Sequence, residues 1–329
     1  MIPNRSVSAS RARYLPRAMR PTWVLFASAL ALACGSNDDE SGGGSGGTGG
    51  SAGPWRKEAP LPAAAASLSA TESGGKIWVA GGVDGSVSKK VWSYDPATGT
   101  WSAGPDLPEA RELPGMASVG GDVYAVGGFG DVDATPTDST YVLKAGASSW
   151  QKLSSLLLNR AGAFATTLTD RIYLVGGMGD AQLLGDTVAF DPGTNSWSVK
   201  AAIPNPRVRF AGFVLSGWIH AVGGTSESGG VTNKVDIYEP GGNVWTLGPD
   251  FPTPRDGLGA AVLDGKAYVV GGDAAGTVDV FDGAAWSSAP PLGTPRIGAA
   301  VVAVAGRVYV IGGALPGGGA SDVVESYAP

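Results

Sequence analysis

A tryptophan and a glycine pair recur through the sequence at a constant separation. The chain has 329 residues, and six glycine pairs follow short apolar runs such as RIYLVGG, 41 to 49 residues apart. A tryptophan precedes the first glycine of every pair by 26 residues, so all variation in length falls between a glycine pair and the next tryptophan. Such a period predicts stacked supersecondary units that share one architecture. The tryptophans are Trp55, Trp101, Trp150, Trp197, Trp245 and Trp286, and the first glycines are Gly81, Gly127, Gly176, Gly223, Gly271 and Gly312.

The composition of each unit is typical of short strands joined by tight turns. Valine, isoleucine and tyrosine run up to the glycine pairs, while glycine, proline, asparagine and aspartate separate the runs. Runs such as YVVGG are apolar at consecutive positions, which is typical of strands that are covered on both faces. No long amphipathic helical pattern occurs after residue 54. We therefore predict an all-β fold.

The repeat resembles the Kelch repeat. In both, an apolar strand ends in Gly-Gly, a variable loop follows, and an aromatic residue precedes a tryptophan, as in YDPATGTW and FDPGTNSW here. The WD40 repeat fits less well, because no Trp-Asp dipeptide occurs. The resemblance covers residues 54–329 and implies a β-propeller with four antiparallel strands per blade, the first of which lines a central channel. The six glycine pairs and six tryptophans then predict six blades.

The two ends of the repeat region complement each other. The last unit stops shortly after Tyr327, before the tryptophan that the pattern requires, whereas Trp55 has no unit before it. We predict that the segment WRKEAPLP, which begins at Trp55, supplies the outer strand of the last blade. This would join the N-terminal strand to the C-terminal blade and remove an unpaired sheet edge.

The first 53 residues differ from the repeat. Residues 1–33 place five arginines before the apolar run WVLFASALALA, which is typical of an export signal, and Met19 is an alternative start. LALAC resembles a bacterial lipobox, although Ala31 stands where leucine is usual, and this resemblance implies that Cys34 carries a lipid. Residues 34–53 are then the lipidated cysteine and a flexible Gly/Ser tether. The alternative is a plain secreted protein with an incidental cysteine.

These features predict an exported protein that is lipid-anchored in the bacterial cell envelope. Gly35 after the cysteine favours the outer membrane. Without residues 1–33 the chain has 18 Lys and Arg residues against 29 Asp and Glu residues, which argues against nucleic acid as a partner. We expect a monomer.

Arginine recurs ten residues after five of the six tryptophans, at Arg111, Arg160, Arg207, Arg255 and Arg296. One interpretation is structural, since a guanidinium fork can bind several carbonyl oxygens and lock neighbouring blades. The other is that these arginines, together with Arg209, which breaks the repeat, bind an anionic group of a ligand by bidentate hydrogen bonds. In the Kelch architecture, this position implies a place at the mouth of the channel.

The only histidine, His220, occupies a position that holds tyrosine or tryptophan in the other units. We therefore predict a packed side chain rather than a catalytic base. Galactose oxidase shares the Kelch fold, but its copper site needs histidines and a cysteine that this chain does not supply. We expect no metal and no cofactor.

Two functions remain open. The first is a non-catalytic binding module that holds a protein or a glycan on one loop face. The alternative is a metal-independent sugar epimerase that resembles bacterial sialic acid mutarotases, with Arg209 and Glu227 as the catalytic arginine and acid. We favour binding, because acids beside arginines are common on protein surfaces and no nucleophile or phosphate-binding motif stands out.

Overall fold

The computed structural model describes residues 54–131 and 134–329. The predicted export signal, Cys34 and the tether therefore lie outside the described residues. The described part consists of strands, turns and loops, and no helix in it is long and apolar enough to cross a membrane. In chain order the strands are β1 (Trp55–Lys57), β2 (Ser69–Ser73), β3 (Lys76–Ala80), β4 (Val83–Asp84), β5 (Ser86–Val87), β6 (Val91–Asp95), β7 (Thr100–Ala103), β8 (Gly115–Val119), β9 (Asp122–Val126), β10 (Thr140–Leu143), β11 (Gln151–Lys152), β12 (Phe164–Leu168), β13 (Arg171–Val175), β14 (Thr187–Asp191), β15 (Ser196–Lys200), β16 (Arg207–Val208), β17 (Ala211–Leu215), β18 (Trp218–Val222), β19 (Thr225–Ser226), β20 (Val235–Glu239), β21 (Val244–Leu247), β22 (Gly259–Leu263), β23 (Lys266–Val270), β24 (Val278–Phe281), β25 (Trp286–Ala289), β26 (Ala300–Val304), β27 (Arg307–Ile311) and β28 (Val324–Tyr327).

Six four-stranded antiparallel sheets form the six blades of a ring. The inner strand of each blade contacts the inner strand of the next, and β26 contacts β2, so the ring is closed. The predicted all-β, six-bladed propeller is confirmed. From the inner to the outer strand, the sheets are blade 1 (β2-β3-β6-β7), blade 2 (β8-β9-β10-β11), blade 3 (β12-β13-β14-β15), blade 4 (β17-β18-β20-β21), blade 5 (β22-β23-β24-β25) and blade 6 (β26-β27-β28-β1).

The N-terminal strand completes the last blade. Strand β1 pairs antiparallel with β28, with Trp55 opposite Tyr327 and Lys57 opposite Glu325. The rings of Trp55 and Tyr327 lie 5.2 Å apart between centroids, and Trp55 is buried. The predicted closure of the ring by the segment around Trp55 is confirmed.

The hydrophobic core lies between the blades rather than inside them. At the junction of blades 6 and 1, Ile77 and Val79 pack against Tyr309 and Ile311. Similar clusters of buried residues fill the other five junctions. A strand that packs against a neighbour on each side must be apolar on both faces, which explains the continuous apolar runs before the glycine pairs.

The links between strands divide into two sets at opposite ends of the ring. Because neighbouring strands are antiparallel, the link from a second to a third strand lies at the same end as the link from one blade to the next. We call this end the loop face, and it carries the glycine pairs and the repeated arginines. The short turns at the other end form the opposite face. The segments of the loop face are 58–68, 81–90, 104–114, 127–131, 134–139, 153–163, 176–186, 201–210, 223–234, 248–258, 271–277, 290–299 and 312–323.

Each repeated tryptophan ties the outer edge of its blade to the linker that enters that blade. The indole nitrogen of Trp150 donates a hydrogen bond of 2.8 Å to the carbonyl oxygen of Pro105, and that of Trp55 donates one of 2.8 Å to Pro290. In every blade the acceptor lies four residues after the preceding tryptophan of the ring. The constant spacing of the tryptophans therefore has a structural cause, and the remaining pairs are Trp101 with Ala59, Trp197 with Ser154, Trp245 with Ala201 and Trp286 with Pro249.

We expect the Trp55→Ala substitution to lower the free energy of unfolding by about 3–5 kcal/mol, the usual cost of truncating a buried large aromatic side chain. It removes both the stacking on Tyr327 and the hydrogen bond to Pro290 that close the ring. Denaturant unfolding followed by circular dichroism measures the change.

Trp218→Ala is the matched control, because Trp218 lies on the opposite face and is 47% exposed. It should change the free energy of unfolding by about 0.5 kcal/mol or less. Equal effects of the two substitutions would contradict the role given to the seam.

Candidate functional site

The glycine pairs fix the position of the repeated arginines. In Gly127 and Gly128 the backbone has φ values of 60° and 97°, which side chains other than glycine rarely adopt. A Cβ atom on Gly127 would overlap the carbonyl oxygen of Arg160, because the segment that enters the next blade passes this close to the glycine pair. The amide of Gly128 instead donates a hydrogen bond of 2.8 Å to that carbonyl.

The same bond occurs at all six junctions of the described ring. Its acceptor is the carbonyl of the repeated arginine, or of Ala65, which occupies the arginine position in blade 1. The main chain at this position is thus held by the preceding blade. The donors and acceptors are Gly82 and Arg111, Gly128 and Arg160, Gly177 and Arg207, Gly224 and Arg255, Gly272 and Arg296, and Gly313 and Ala65.

The side chains of these arginines turn into their own blades. Arg160 donates from Nη1 to the carbonyl oxygens of Gly176 and Asp186, at 2.7 and 3.2 Å, and its Nη2 pairs with the carboxylate of Asp186. Every repeated arginine is 6% exposed or less and has a carboxylate partner. The other pairs are Arg111 with Glu109, Arg207 with Asp236, Arg255 with Asp279, and Arg296 with Glu325.

Burial and ion pairing shift the pKa values of the paired arginines and acids of this clamp in opposite directions. Burial lowers the pKa of Arg207, while the carboxylate of Asp236 raises it. Burial also raises the pKa of Asp236, which Arg207 and the amide of Asn205 lower. A charge pair that is removed from water in this way stabilises the fold only while both partners are present. This geometry supports the structural interpretation of the repeated arginines, and ligand binding by Arg111, Arg160, Arg207, Arg255 and Arg296 stays a prediction.

Arg209 lies apart from the clamps, at the mouth of the channel. Its side chain is 40% exposed, and its Nε lies 3.4 Å from a carboxylate oxygen of Asp256 in the next blade. Asp256 also accepts a hydrogen bond of 2.8 Å from the hydroxyl of Thr225. Glu227, the predicted catalytic partner of Arg209, is exposed in the loop between β19 and β20. The structure therefore pairs Arg209 with Asp256 rather than with Glu227.

Arg209 belongs to a ring of six left-handed residues that encircles the channel mouth. Each lies two positions after the arginine position, with φ between 51° and 66°. At five of the six junctions of the described ring, the amide of one residue donates to the carbonyl of its equivalent in the preceding blade. Sequence reasoning missed this ring, although a glycine two residues after the arginine in three units was a usable signal. The six residues are Ser67, Leu113, Gly162, Arg209, Gly257 and Gly298.

Glu112 places a buried carboxylate beside this mouth. Only 7% of the residue is exposed, and one carboxylate oxygen has no hydrogen-bond partner among the described residues. Burial raises the pKa of Glu112, while Ser67 and Arg209 lower it. Since Ser67 belongs to blade 1 and Arg209 to blade 4, the carboxylate of this blade 2 residue faces the channel. The mouth thus brings together the side chains of Glu112, Arg209 and Asp256.

Two cavities open on the loop face. One has a volume of about 380 Å³ and lies in blade 1, beside Ala65 and Trp92. The other has a volume of about 400 Å³ and lies in blade 2, beside Arg111 and Lys152. Among the described residues, no group of three or more His, Cys, Asp and Glu side chains is arranged to hold a metal ion.

His220 is a packed side chain of blade 4. Its ring stacks on Phe213 of the neighbouring strand, with 4.8 Å between centroids and 12° between planes. One ring nitrogen lies 3.2 Å from the carbonyl oxygen of Trp218, and the residue is 4% exposed. Burial lowers the pKa of His220 below its ordinary value of 6.5. A neutral, enclosed imidazole of this kind has no access to a ligand on the loop face.

Comparison with protein families identifies the repeating unit. A family model described as the Kelch motif matches residues 64–108, 110–157 and 159–202, which are blades 1, 2 and 3 with their linkers. Blades 1 to 3 therefore match the Kelch motif. The inter-blade bonds of blades 1 to 3 recur in blades 4 to 6, so all six blades share one structural pattern.

Curated relatives match this chain over part of their length. Kelch-like protein 35 of Mus musculus is 32% identical over 162 residues, which are 49% of this chain and 27% of the relative. Kelch-like protein terF of Aspergillus terreus is 27% identical over 53% of this chain and 42% of its own length. Alpha-scruin of Limulus polyphemus is 27% identical over 41% of this chain and 16% of its own length. This chain thus spans less than half the length of these relatives.

A solved structure agrees with the six-bladed architecture. The structure of YjhT superposes with a TM-score of 0.73 and covers 81% of this chain and 95% of its own. The two sequences are 16% identical, so the likeness shows a common fold.

We expect Arg207→Ala to lower the free energy of unfolding by about 3–5 kcal/mol, because it leaves the buried carboxylate of Asp236 without its cationic partner. Arg209→Ala is the matched control, two residues away in the same linker, and should cost about 1 kcal/mol or less because its ion pair is partly exposed. Denaturant unfolding of the two variants measures the difference. If Arg207→Ala unfolds like the wild type, the clamp is not structural.

We expect His220→Phe to reduce the loss of stability in weak acid. Below pH 6.5 the histidine of the unfolded chain takes up a proton that the buried, neutral His220 does not, so wild-type stability falls as the pH falls. The slope that this one proton adds is at most about 1.4 kcal/mol per pH unit. Unfolding curves at pH 7.5 and at successively lower pH measure it. Parallel stability profiles of the two proteins would contradict the buried, neutral state.

Proposed function

We propose that this protein is a non-catalytic binding module that holds a protein partner on its loop face. We further propose that lipid on Cys34 and the tether of residues 34–53 hold the propeller at the bacterial cell envelope, with the outer membrane favoured. The composition of residues 1–53 supports this location, as does the resemblance of LALAC to a lipobox.

The observation that carries the proposal is that the six blades differ mainly on one face. Blade 5 has five residues between its glycine pair and its third strand, 273–277, whereas blade 6 has ten, 314–323. By contrast, the hydrogen bond from the second glycine of each pair to the next blade recurs at all six junctions of the described ring. Variable loops on a rigid frame are a common arrangement for recognition. Kelch propellers are commonly protein-binding modules, which supports a protein as the partner.

The charges of the loop face favour a partner with a basic surface. Exposed acids on five of its loops form no ion pair with another described residue, while the repeated arginines are neutralised inside their blades. Complementary charge guides association and excludes partners of the same sign. A glycan, or a ligand with an anionic group held by the arginines, is the other prediction from the sequence. The five acids are Asp84, Asp131, Asp180, Glu227 and Asp322.

Site-specific photo-crosslinking in intact cells tests this function. A benzoylphenylalanine is introduced into the full chain at Ser86, Glu227 or Asp322, which are exposed on three different loops of the loop face. Thr98 and Thr194, exposed in turns of the opposite face, are the matched controls. We expect ultraviolet light to produce the same crosslinked polypeptide from at least two loop-face positions and none from the two controls.

Other results would decide against the proposal. Crosslinks of equal yield from both faces, or from neither, would contradict recognition by the loop face. A product that resists protease and is shortened by glycosidases would replace the protein partner with a glycan. Fractionation of the same cells shows whether the protein is in the membrane fraction.

A further inference from the structure

Blade 1 lacks both halves of the arginine clamp. Ala65 occupies the arginine position, since its carbonyl accepts the hydrogen bond from Gly313. In blades 4, 5 and 6 the acid that pairs with the arginine lies on the third strand. It is opposite the second-strand residue that comes two positions before the glycine pair, as Asp236 is opposite Ala221. In blade 1 that residue is Trp92, opposite Val79. An alanine and a tryptophan have thus replaced an arginine and an acid together.

The replacement leaves the cavity of about 380 Å³ in blade 1. Its volume lies within the range of sites that take small ligands or anchoring side chains. Leu61, Ala64 and Ala65 form an apolar side, Trp92 provides an aromatic wall, and Asp84 lies at the edge. The cavity occupies the position that the arginine side chain fills in the other blades.

Two carbonyl oxygens of this cavity have lost the donor that their equivalents have. In blade 3, Arg160 donates to Gly176, the first glycine of the pair, and to Asp186, whose carbonyl also accepts the amide of that glycine. Arg255 and Arg296 make the same two bonds in blades 5 and 6. The equivalents in blade 1 are the carbonyls of Gly81 and Lys90. The amide of Gly81 donates a hydrogen bond of 3.0 Å to the carbonyl of Lys90.

Both residues line the cavity, and the described residues supply no side-chain donor to either carbonyl. The Lys90 carbonyl keeps the Gly81 amide as its donor, whereas the carbonyl of buried Gly81 has no donor among the described residues. A buried acceptor without a donor costs free energy unless a ligand or water supplies one. The backbone of blade 1 therefore keeps the shape of a guanidinium receptor after the guanidinium has been removed from the sequence.

We propose that the blade 1 cavity is a binding site for the guanidinium group of an arginine side chain from the protein partner. This inference rests on the proposal that the loop face binds a protein. The bound guanidinium donates to the carbonyls of Gly81 and Lys90 and stacks on Trp92, while Asp84 adds an attractive charge at the edge. The alkyl stem packs on Ala64 and Leu61.

An arginine fits this site better than other side chains. One terminal nitrogen of a guanidinium can donate to both carbonyls, as Nη1 of the internal arginines does in blades 3, 5 and 6, while the planar group stacks on Trp92. A lysine is a compact, strongly hydrated point charge, and an apolar side chain supplies no donor to the Gly81 carbonyl and no second donor to the Lys90 carbonyl. The exposed acids on the surrounding loops favour a basic partner segment.

The test uses three peptides that differ at one residue, Ac-Gly-Ser-X-Ser-Gly-NH2, in which X is arginine, citrulline or lysine. The full chain is labelled with nitrogen-15, and the indole N–H resonance of Trp92 is followed by NMR, with the other tryptophans as internal references. We expect the arginine peptide to shift the Trp92 signal with saturation. The citrulline peptide, which is almost the same shape but uncharged, should bind at least tenfold more weakly, and the lysine peptide should also bind more weakly.

Variants of the cavity complete the test. Ala65→Arg supplies the missing guanidinium from within the chain, and Ala65→Leu fills the space with an apolar side chain. Each should weaken binding of the arginine peptide at least tenfold. If Ala65→Arg does not fold, Ala65→Leu still tests the site. Trp218→Ala, on the opposite face, should change the affinity less than twofold.

The inference is overturned if the wild-type chain shows no saturable shift of Trp92. Equal binding of the arginine and citrulline peptides, or undiminished binding by the folded Ala65 variants, also overturns it. Loop-face crosslinks with no effect of the peptide at Trp92 would remove this site and leave the proposed function standing. A specific effect of the peptide at Trp92 without loop-face crosslinks would support this site and contradict the proposed function.

Discussion

The hydrogen bond from the second glycine of each pair to the first residues of the next blade is the interaction on which the rest of the structure depends. It needs a backbone that only glycine adopts easily, and it brings two blades too close for any Cβ atom, as at Gly127 and Arg160. By holding the carbonyl of Arg160, it directs the side chain of that arginine into its own blade. Six such bonds, with the indole bonds at the outer edge, make a frame that does not depend on the loops.

The residues that stabilise this frame are different from those that are available to bind a partner. The repeated arginines are paired inside their own blades, so the groups that remain available on the loop face come from positions where the repeat departs from its pattern. Arg209 and Glu112 at the channel mouth are two such positions, and Ala65 with Trp92 in blade 1 is another. Where a blade lacks a side chain that the repeat has elsewhere, the neighbouring blades still hold the surrounding backbone in place. The cavity therefore keeps the shape that binds the missing group.

The repeat allowed the blade number, the loop face and the seam at Trp55 to be predicted, because each depends on regular spacing along the chain. The partners of individual charges could not be predicted. Arg209 meets Asp256 rather than Glu227, and Glu112 faces Ser67 and Arg209, because these groups come from different blades that the closed ring brings together. The loss of the clamp in blade 1 was visible as Ala65, but its counterpart Trp92 became recognisable only from the strand register.

Native-state hydrogen exchange of the full chain in increasing denaturant tests most directly whether the ring is one cooperative unit closed at its seam. The amide hydrogens of β28, the strand that β1 covers, should open with the same free energy as those of β14 on the opposite side of the ring. Exchange of β1 and β28 through an opening that costs several kcal/mol less than that of β14 would contradict this account, because blade 6 would then open without the rest.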